Sequence, residues 1–218
     1  MGITTVIFDL DGTLLDTSEG VLESVRYAAA RLGCGELPRE TLLRFIGPPL
    51  QASFPRYYGL SEADTVEAIR LFRECYTSGA IFHARPYAGI FDLLEALGNA
   101  GLKLAVATNK AEPMARLLLG SFGFDRWCSP IRGADLEGKL GKADLIRLCL
   151  EELGEPAVAA LLVGDTEHDA AGAAAAGVGF LAVTYGFGFR RAEDALPYSP
   201  VGTAASPAEV LPVLRGLV

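Results

Sequence analysis

The 218-residue sequence predicts an α/β fold, a doubly wound parallel sheet that carries a small inserted helical domain. Continuous apolar segments of strand length recur along the chain, and such segments are typical of strands that are buried on both faces of a parallel sheet. Segments with the apolar period of an amphipathic helix lie between them, and this alternation favours parallel pairing. One early region is helical throughout and interrupts the alternation.

The four clearest strand candidates are apolar runs that end in polar residues or glycine. They occupy residues 3–12, 103–109, 158–165 and 178–186. Two amphipathic helices are predicted between these strands. One ends at Gly101 and the other at Gly154, as expected of glycines that follow a helix.

The interrupting region comprises residues 16–83 and holds no strand candidate. A helix is predicted over residues 21–32, and further helices over residues 39–45 and 61–78. Prolines and glycines between residues 47 and 59 separate these helical patterns. We therefore expect residues 1–15 and 84–218 to form the α/β core and residues 16–83 to form a helical insert.

Two carboxylates follow the first predicted strand. Asp9 and Asp11 are two residues apart, so an extended backbone points both side chains to the same side. Two neighbouring carboxylates at the end of a buried strand repel each other, and a bound cation or a shared proton would relieve the repulsion. An ordinary solvated Asp-Gly turn is the competing interpretation of this segment taken alone.

Polar residues also end two other predicted strands. Thr108 and Asn109 end the second, Asp165 ends the third, and Asp169 follows one helical turn later. In open parallel sheets the ligand crevice lies at the carboxyl ends of the strands. Oxygen ligands of this kind suit Mg²⁺ and a phosphate better than zinc, which prefers nitrogen and sulfur. The sequence therefore predicts a magnesium and phosphate site at this edge of the sheet.

Four motifs together resemble those of the haloacid dehalogenase-like superfamily. They are DLDGT from Asp9, TN from Thr108, the lysine of GKADLI, and GDTEHD, which contains Asp165 and Asp169. Their order and spacing are similar too, and the resemblance extends over nearly the whole chain. It is strongest to the phosphoglycolate-phosphatase-like and 5'-nucleotidase-like branch. Thr166 departs from the pattern, because many relatives carry Arg or Ser there.

The resemblance implies a Rossmann-like core with a helical cap over residues 16–83, and a magnesium-dependent phosphatase that uses an aspartyl-phosphate intermediate. Asp9 would be the nucleophile and Asp11 the general acid and base. Thr108 and the backbone near Asn109 would donate hydrogen bonds to the phosphoryl oxygens. The metal ligands would be Asp9, Asp11 through its carbonyl oxygen, Asp165 and Asp169.

Two further choices concern cations. Lys139 and Lys142 both lie near the third motif, and we favour Lys142 as the catalytic, phosphate-binding lysine because it opens a predicted helix. In the insert, Arg44 is a candidate substrate-binding residue, with the segment 45–50, Arg56 and the tyrosines at 57 and 58 as others. Ordinary surface and core packing is an equally weighted interpretation of these residues.

Other functions fit parts of this pattern. A sugar phosphomutase of the same superfamily remains an alternative, although residues 16–27 lack the histidine expected of it. A phosphonatase of the Schiff-base type needs a lysine in the insert, which has none. A dehalogenase would not need Asp11. A phospho-accepting receiver domain remains a second alternative, but it would lack the insert. A binding module with an inactive site is the third.

Composition narrows the partners. A formal net charge of -8 without a basic stripe argues against nucleic acid, and no apolar run reaches membrane-spanning length. The four cysteines form no CxxC pair and indicate reduced thiols, so we expect a cytoplasmic protein. The expected partner is a small phosphorylated metabolite. No motif identifies this metabolite or the oligomeric state of the protein. The GFGF segment, residues 186–189, lacks the third glycine of a dinucleotide-binding loop and is a poor match to it.

Overall fold

The computed structural model describes residues 2–135 and 139–216, and these form two compact units. The core unit comprises the described residues up to Leu15 and those from Pro86 onwards. The helical unit comprises Asp16–Arg85. The sequence interpretation placed the return to the core at residue 84, two residues before the boundary seen here.

The regular elements within the described residues are numbered in chain order. The strands are β1 (Thr5–Phe8), β2 (Leu15–Asp16), β3 (Arg85–Pro86), β4 (Lys103–Ala111), β5 (Ile131–Ala134), β6 (Ala160–Gly164), β7 (Gly179–Val183) and β8 (Gly202–Ala204). The helices are α1 (Ser18–Arg31), α2 (Arg39–Leu43), α3 (Leu50–Tyr58), α4 (Glu62–Thr77), α5 (Ile90–Asn99), α6 (Glu112–Ser121), α7 (Lys142–Leu153), α8 (Glu167–Ala176), α9 (Ala192–Ala195) and α10 (Pro207–Arg215). Short 3-10 helices occur at Ala80–Phe82, Phe124–Arg126, Ala157–Ala159 and Leu196–Tyr198.

The core unit is built on a six-stranded sheet in the order β5-β4-β1-β6-β7-β8. Every pair of neighbouring strands is parallel, which confirms the predicted fold class. In the register of the central strand, Phe8 lies opposite Val106 of β4 and Val163 of β6. The carboxyl ends of β1 and β6 therefore lie close to the same level, and β4 continues past them in the same direction to Ala111, so residues at these ends emerge at one edge.

Burial explains why these segments form central strands. All residues of β1 and β6 are buried, as expected of strands covered on both faces. Side chains of α7 and α8 share one hydrophobic cluster with those of four central strands, and that cluster includes Ile7, Ala105, Leu162 and Phe180. Helix α5 contacts β4 and α10. The apolar periodicity read from α5 and α7 thus corresponds to the faces that these helices bury.

Two strands of the sheet carried no recognisable signal. Strand β5 has the sequence IRGA and contains a charged residue, and β8 is the three-residue segment GTA. Both lie at an edge of the sheet, where one side lacks a neighbouring strand and a continuous apolar run is not needed. Their positions depend on the order of the strands in the sheet, and the residue pattern of a single segment does not reveal that order.

The helical unit is formed by α1 to α4, with α1 and α3 both packed on α4. Helix α3 was not predicted, because it lies in the region that was interpreted as a series of breaks and contains Pro55. Its apolar face is nevertheless buried through Phe54, whose ring centroid lies 5.2 Å from that of Phe45. Phe45 also contacts Tyr57, with 5.3 Å between ring centroids. Of the aromatic candidates for substrate recognition, Phe45 is buried in this unit, whereas Tyr57 and Tyr58 are half-buried and contact its ring.

Two short strands, β2 and β3, pair with each other in a separate two-stranded sheet. They lie where the chain passes from the core unit to the helical unit and back. Among the residues described, no helix combines the length and apolarity needed to cross a membrane.

Candidate active site

Three carboxylates meet at the edge where β1 and β6 end. Asp9 directly follows β1, Asp165 follows β6, and Asp169 lies in the first turn of α8. All three are buried, with relative exposures of 5%, 0% and 1%. Each offers an oxygen that lies within 4.8 Å of those of the other two. The strand register brings Asp9 and Asp165 together, and the helix that follows β6 adds Asp169.

The Lys142 ammonium group lies among these carboxylates. Lys142 is the first residue of α7, and its Nζ is 2.6 Å from Oδ1 of Asp9 and 2.7 Å from Oδ1 of Asp169. It also donates to the carbonyl oxygen of Ala107 in β4, at 2.9 Å. Burial by itself lowers the pKa of Lys142, but the charges of Asp169 and Asp9 outweigh burial and hold that pKa above its usual value. The lysine therefore stays protonated.

Asp165 is held by the backbone of the segment after β7. Its Oδ2 accepts hydrogen bonds from the N–H groups of Phe187, at 2.6 Å, and Gly188, at 3.1 Å. Its Oδ1 is buried and has no hydrogen-bond partner within the described residues. Burial raises the pKa of Asp165 well above its usual value, and the negative charges of Asp169 and Asp9 raise it further. A buried oxygen without a donor is costly, and a cation would satisfy it.

Asp169 is fixed by its own helix. Its Oδ2 accepts hydrogen bonds from the hydroxyl group of Thr166, at 2.6 Å, and from the backbone N–H of Thr166, at 3.0 Å. The hydroxyl oxygen of Thr166 accepts in turn from the backbone N–H of Asp169, which completes a capping box at the start of α8. Thr166, the residue that departs from the family pattern, is thus the N-cap residue of α8.

Asp11 has a different environment from the other acids. Both of its side-chain oxygens accept hydrogen bonds from the ammonium group of Lys110, at 2.9 and 3.0 Å. The two side chains are only 11% and 8% exposed. The side chain of Asp11 does not belong to the group formed by Asp9, Asp165 and Asp169. The expected metal contribution of Asp11 involved its carbonyl oxygen, and that expectation stays a prediction.

Lys110 is the residue that sequence reasoning missed. It directly follows Thr108 and Asn109 at the end of β4, so its position at a strand end was the available signal. The strand runs two residues beyond the predicted end, to Ala111, with an irregular register between Thr108 and Ala111. The backbone N–H of Lys110 donates to Oγ1 of Thr108, at 3.2 Å.

The remaining predicted residues are placed as follows. Thr108 is buried, and Asn109 is half-buried on β4. Of the two candidate lysines, Lys142 is the one that the structure shows in contact with Asp9. Arg44 is exposed at the end of α2, in the helical unit. The core unit thus holds all of the predicted site residues except Arg44.

Acidic groups outnumber basic ones among the side chains described at this site. With the four carboxyl groups of Asp9, Asp11, Asp165 and Asp169 all ionised, the two ammonium groups of Lys142 and Lys110 leave two negative charges. Burial raises the pKa of Asp9 to about 7; Lys142 opposes this shift, while the charges of Asp169 and Asp11 add to it. A divalent cation would neutralise the excess, and an all-oxygen donor set suits Mg²⁺. The residues present therefore fit a magnesium ion.

Sequence comparison identifies the relatives of this chain. A model of the haloacid dehalogenase-like hydrolase family matches residues 6–183. A 5'-nucleotidase of Pseudomonas aeruginosa is 41% identical, over 96% of this chain and 95% of that protein. The tyrosine-protein kinase PtkA of Mycobacterium tuberculosis is 38% identical over 84% of this chain, which spans 62% of the kinase. A phosphoglycolate phosphatase of Agrobacterium fabrum is 32% identical, over 83% of this chain and 80% of that protein.

Structural comparison gives the same grouping. A crystal structure described as a predicted phosphatase from Clostridium acetobutylicum superimposes with a TM-score of 0.93 and 33% sequence identity, and the whole length of both chains is covered. The fold, the four motifs, the relatives in sequence and the similar solved structure agree with the resemblance seen in the sequence. The chain therefore belongs to the haloacid dehalogenase-like hydrolase family and is one of its phosphatases.

Proposed function

We propose that this enzyme is a magnesium-dependent phosphatase that hydrolyses a small phosphomonoester through an aspartyl-phosphate on Asp9. The observation that carries the proposal is the buried group of Asp9, Asp165 and Asp169 around the Lys142 ammonium, with two negative charges in excess. Asp9, Asp165 and Asp169 would hold the metal ion. When bound, the ion would supply positive charge that stabilises the phosphoryl group during transfer.

Asp9 is the nucleophile in this proposal. An oxygen of its carboxylate forms a bond to phosphorus, and the bond between phosphorus and the ester oxygen of the substrate breaks. Lys142 orients Asp9 through Oδ1 and favours its ionised form, in which a carboxylate is nucleophilic. Burial excludes water from the carboxylate and strengthens the interaction with the lysine.

Asp11 transfers the protons. It gives a proton to the ester oxygen as the alcohol leaves, and it then accepts a proton from the water that attacks phosphorus and releases phosphate from Asp9. Lys110, which contacts both oxygens of Asp11, fixes the orientation of this carboxylate. We assign the hydrogen bonds to the transferred phosphoryl group to Thr108 and the backbone around Asn109, as the family resemblance implies.

The substrate class rests on the relatives. Two of the relatives are named 5'-nucleotidase and phosphoglycolate phosphatase, so we propose nucleoside monophosphates, phosphoglycolate and sugar phosphates as the panel to be screened. The helical unit would act as the cap that selects among them. Arg44, exposed at the end of α2, remains the candidate for this selection. If it reads the substrate, Arg44→Ala changes the ranking of natural substrates more than the rate on a small aryl phosphate.

The central test uses Asp9→Asn. We expect the wild-type enzyme to hydrolyse nitrophenyl phosphate with Mg²⁺ and to stop in excess chelator, and we expect the variant to lose activity by several orders of magnitude. A rapid-quench sample of the wild-type enzyme should carry the mass of one phosphoryl group, and the variant should carry none. Asp125→Asn, which removes an exposed carboxylate from the same unit, is the matched control. Full activity in Asp9→Asn would refute the proposed function.

A further inference from the structure

The GFGF segment that follows β7 surrounds Asp165. The N–H groups of Phe187 and Gly188 donate to Oδ2 of Asp165, and the next N–H, that of Phe189, donates to the backbone carbonyl of Asp165 at 2.8 Å. Arg190 closes the segment, because its Nη1 donates to the carbonyl oxygen of Gly186 at 3.2 Å. We call residues 186–190 the Asp165 clamp.

The two glycines of the Asp165 clamp are required by close approach. A Cβ atom at position 186 would lie 2.3 Å from Oδ2 of Asp165 and 2.4 Å from the carbonyl oxygen of Gly12. A Cβ atom at position 188 would lie 2.3 Å from the backbone oxygen of Asp165. Neither separation is tolerated in a folded protein, so any side chain at these positions displaces the N–H groups from the carboxylate.

The clamp makes the two oxygens of Asp165 unequal. Oδ2 already accepts two hydrogen bonds, while Oδ1 is buried without a hydrogen-bond partner in the described part of the chain. A carboxylate held in this way presents a single oxygen to a cation. Magnesium requires near-octahedral coordination with short, single-oxygen contacts, whereas calcium accepts more ligands and often binds a carboxylate through both oxygens.

We propose that the Asp165 clamp restricts Asp165 to coordination through Oδ1 alone and thereby makes the site select Mg²⁺ over Ca²⁺. This inference rests on the proposed function, because it concerns the same metal site. It assigns the GFGF segment a role in metal selectivity and makes Gly186 and Gly188 positioning residues.

Metal binding without substrate tests the inference. Titration calorimetry with MgCl₂ and with CaCl₂ gives the two dissociation constants for wild type, Gly188→Ala and Gly186→Ala. Removing the support of a metal ligand typically costs about 10- to 100-fold in affinity, so we expect at least a tenfold loss for Mg²⁺. The loss for Ca²⁺ should be about threefold or less, because a freed Asp165 can offer calcium both oxygens. Gly98→Ala is the matched control, since a Cβ atom there meets nothing within 4 Å.

Circular dichroism shows whether the two glycine variants fold. If they do not fold, Arg190→Met is measured in their place, because it removes only the side-chain hydrogen bond to the carbonyl oxygen of Gly186. We expect it to weaken Mg²⁺ binding about threefold, with less effect on Ca²⁺. An unchanged ratio of the two affinities in the folded variants would overturn the role of the clamp while leaving the proposed function intact. Failure of the wild-type protein to bind Mg²⁺ at all would overturn the proposed function itself.

Discussion

Replacing Asp165 with asparagine is expected to stabilise the metal-free protein while abolishing its response to Mg²⁺. The asparagine Oδ1 can accept the two backbone N–H bonds that Asp165 accepts now, and its NH₂ group takes the place of the oxygen that has no hydrogen-bond partner among the described residues. The substitution therefore removes a buried negative charge without removing a hydrogen bond. The neighbouring carboxylates of Asp9 and Asp169 then face a neutral amide in place of a third carboxylate.

The magnitude follows from the spacing of the carboxylates. The oxygens of the group lie within 4.8 Å of one another, and at that distance two unit charges repel by about 3.5 kcal/mol at an effective dielectric constant of about 20. Asp165 faces two such charges, on Asp9 and Asp169, and the attraction of Lys142 offsets part of this repulsion. A net gain of about 3 kcal/mol is expected at neutral pH. In a protein of this size that corresponds to a rise in Tm of about 6–12 °C.

The pH dependence identifies the cause. The pKa of Asp165 is raised in the folded protein, so its unfavourable effect is absent at low pH, where the carboxyl is protonated, and it grows as pH rises above the unfolded value. The advantage of Asp165→Asn should therefore be small near pH 4 and largest at or above pH 7. Thermal unfolding in chelator, followed by circular dichroism, measures it.

The control and the refuting results are equally specific. Asp125→Asn changes the net charge by the same amount at an exposed site and should leave Tm within about 2 °C. Mg²⁺ should raise the Tm of the wild-type protein and not that of Asp165→Asn. A metal-free Asp165→Asn protein that is no more stable than wild type at neutral pH would refute the reasoning. So would a gain of equal size at pH 4.

Three further predictions concern the other charged residues of the site. In Asp11→Asn, the rate of phosphoenzyme formation should fall about 100- to 10,000-fold for alkyl phosphates and much less for nitrophenyl phosphate, whose leaving group needs no proton. Rapid-quench measurement of the first turnover gives this rate. Equal losses for the two kinds of substrate would contradict the role of Asp11 as the acid. Lys142→Met leaves Asp9 and Asp169 without their shared cation, so urea unfolding without metal should show a loss of about 3–5 kcal/mol that Mg²⁺ partly restores. Lys110→Met should reproduce the leaving-group dependence of Asp11→Asn, and Lys110→Arg should turn over alkyl phosphates faster than Lys110→Met does. If Lys110→Met loses the same fraction of its rate on both kinds of substrate, Lys110 only supports the fold.

The central part of the fold could be predicted because its signals are local. The strands β1, β4, β6 and β7 are apolar runs, and parallel strands share an edge at their carboxyl ends. That topological rule is enough to predict from the sequence that Asp9 and Asp165 lie near each other. The edge strands β5 and β8 and the helix α3 were missed, because their place is fixed by neighbouring elements and not by their own residues.

The site was predicted less completely than the fold. The motifs identified the carboxylates, but they did not show that Asp11 pairs with Lys110 or that Asp165 is held by residues 187 and 188. Both contacts join segments that are far apart in sequence: 99 residues separate Asp11 from Lys110, and 22 separate Asp165 from Phe187. The irregular register at the end of β4, which accompanies the contact of Lys110, has no signature in the residue types.

The pairing of β2 with β3 has a consequence for how this chain can change over time. The helical unit leaves the core at Asp16 and rejoins it at Arg85, and the two connections lie side by side as neighbouring strands. An insertion whose ends are adjacent can be exchanged, enlarged or shortened without altering the order of strands around it. The carboxylates and lysines proposed for catalysis all lie outside the inserted stretch. Under the proposal that the helical unit selects the substrate, replacing this one contiguous block of sequence would change the substrate and leave the catalytic residues as they are.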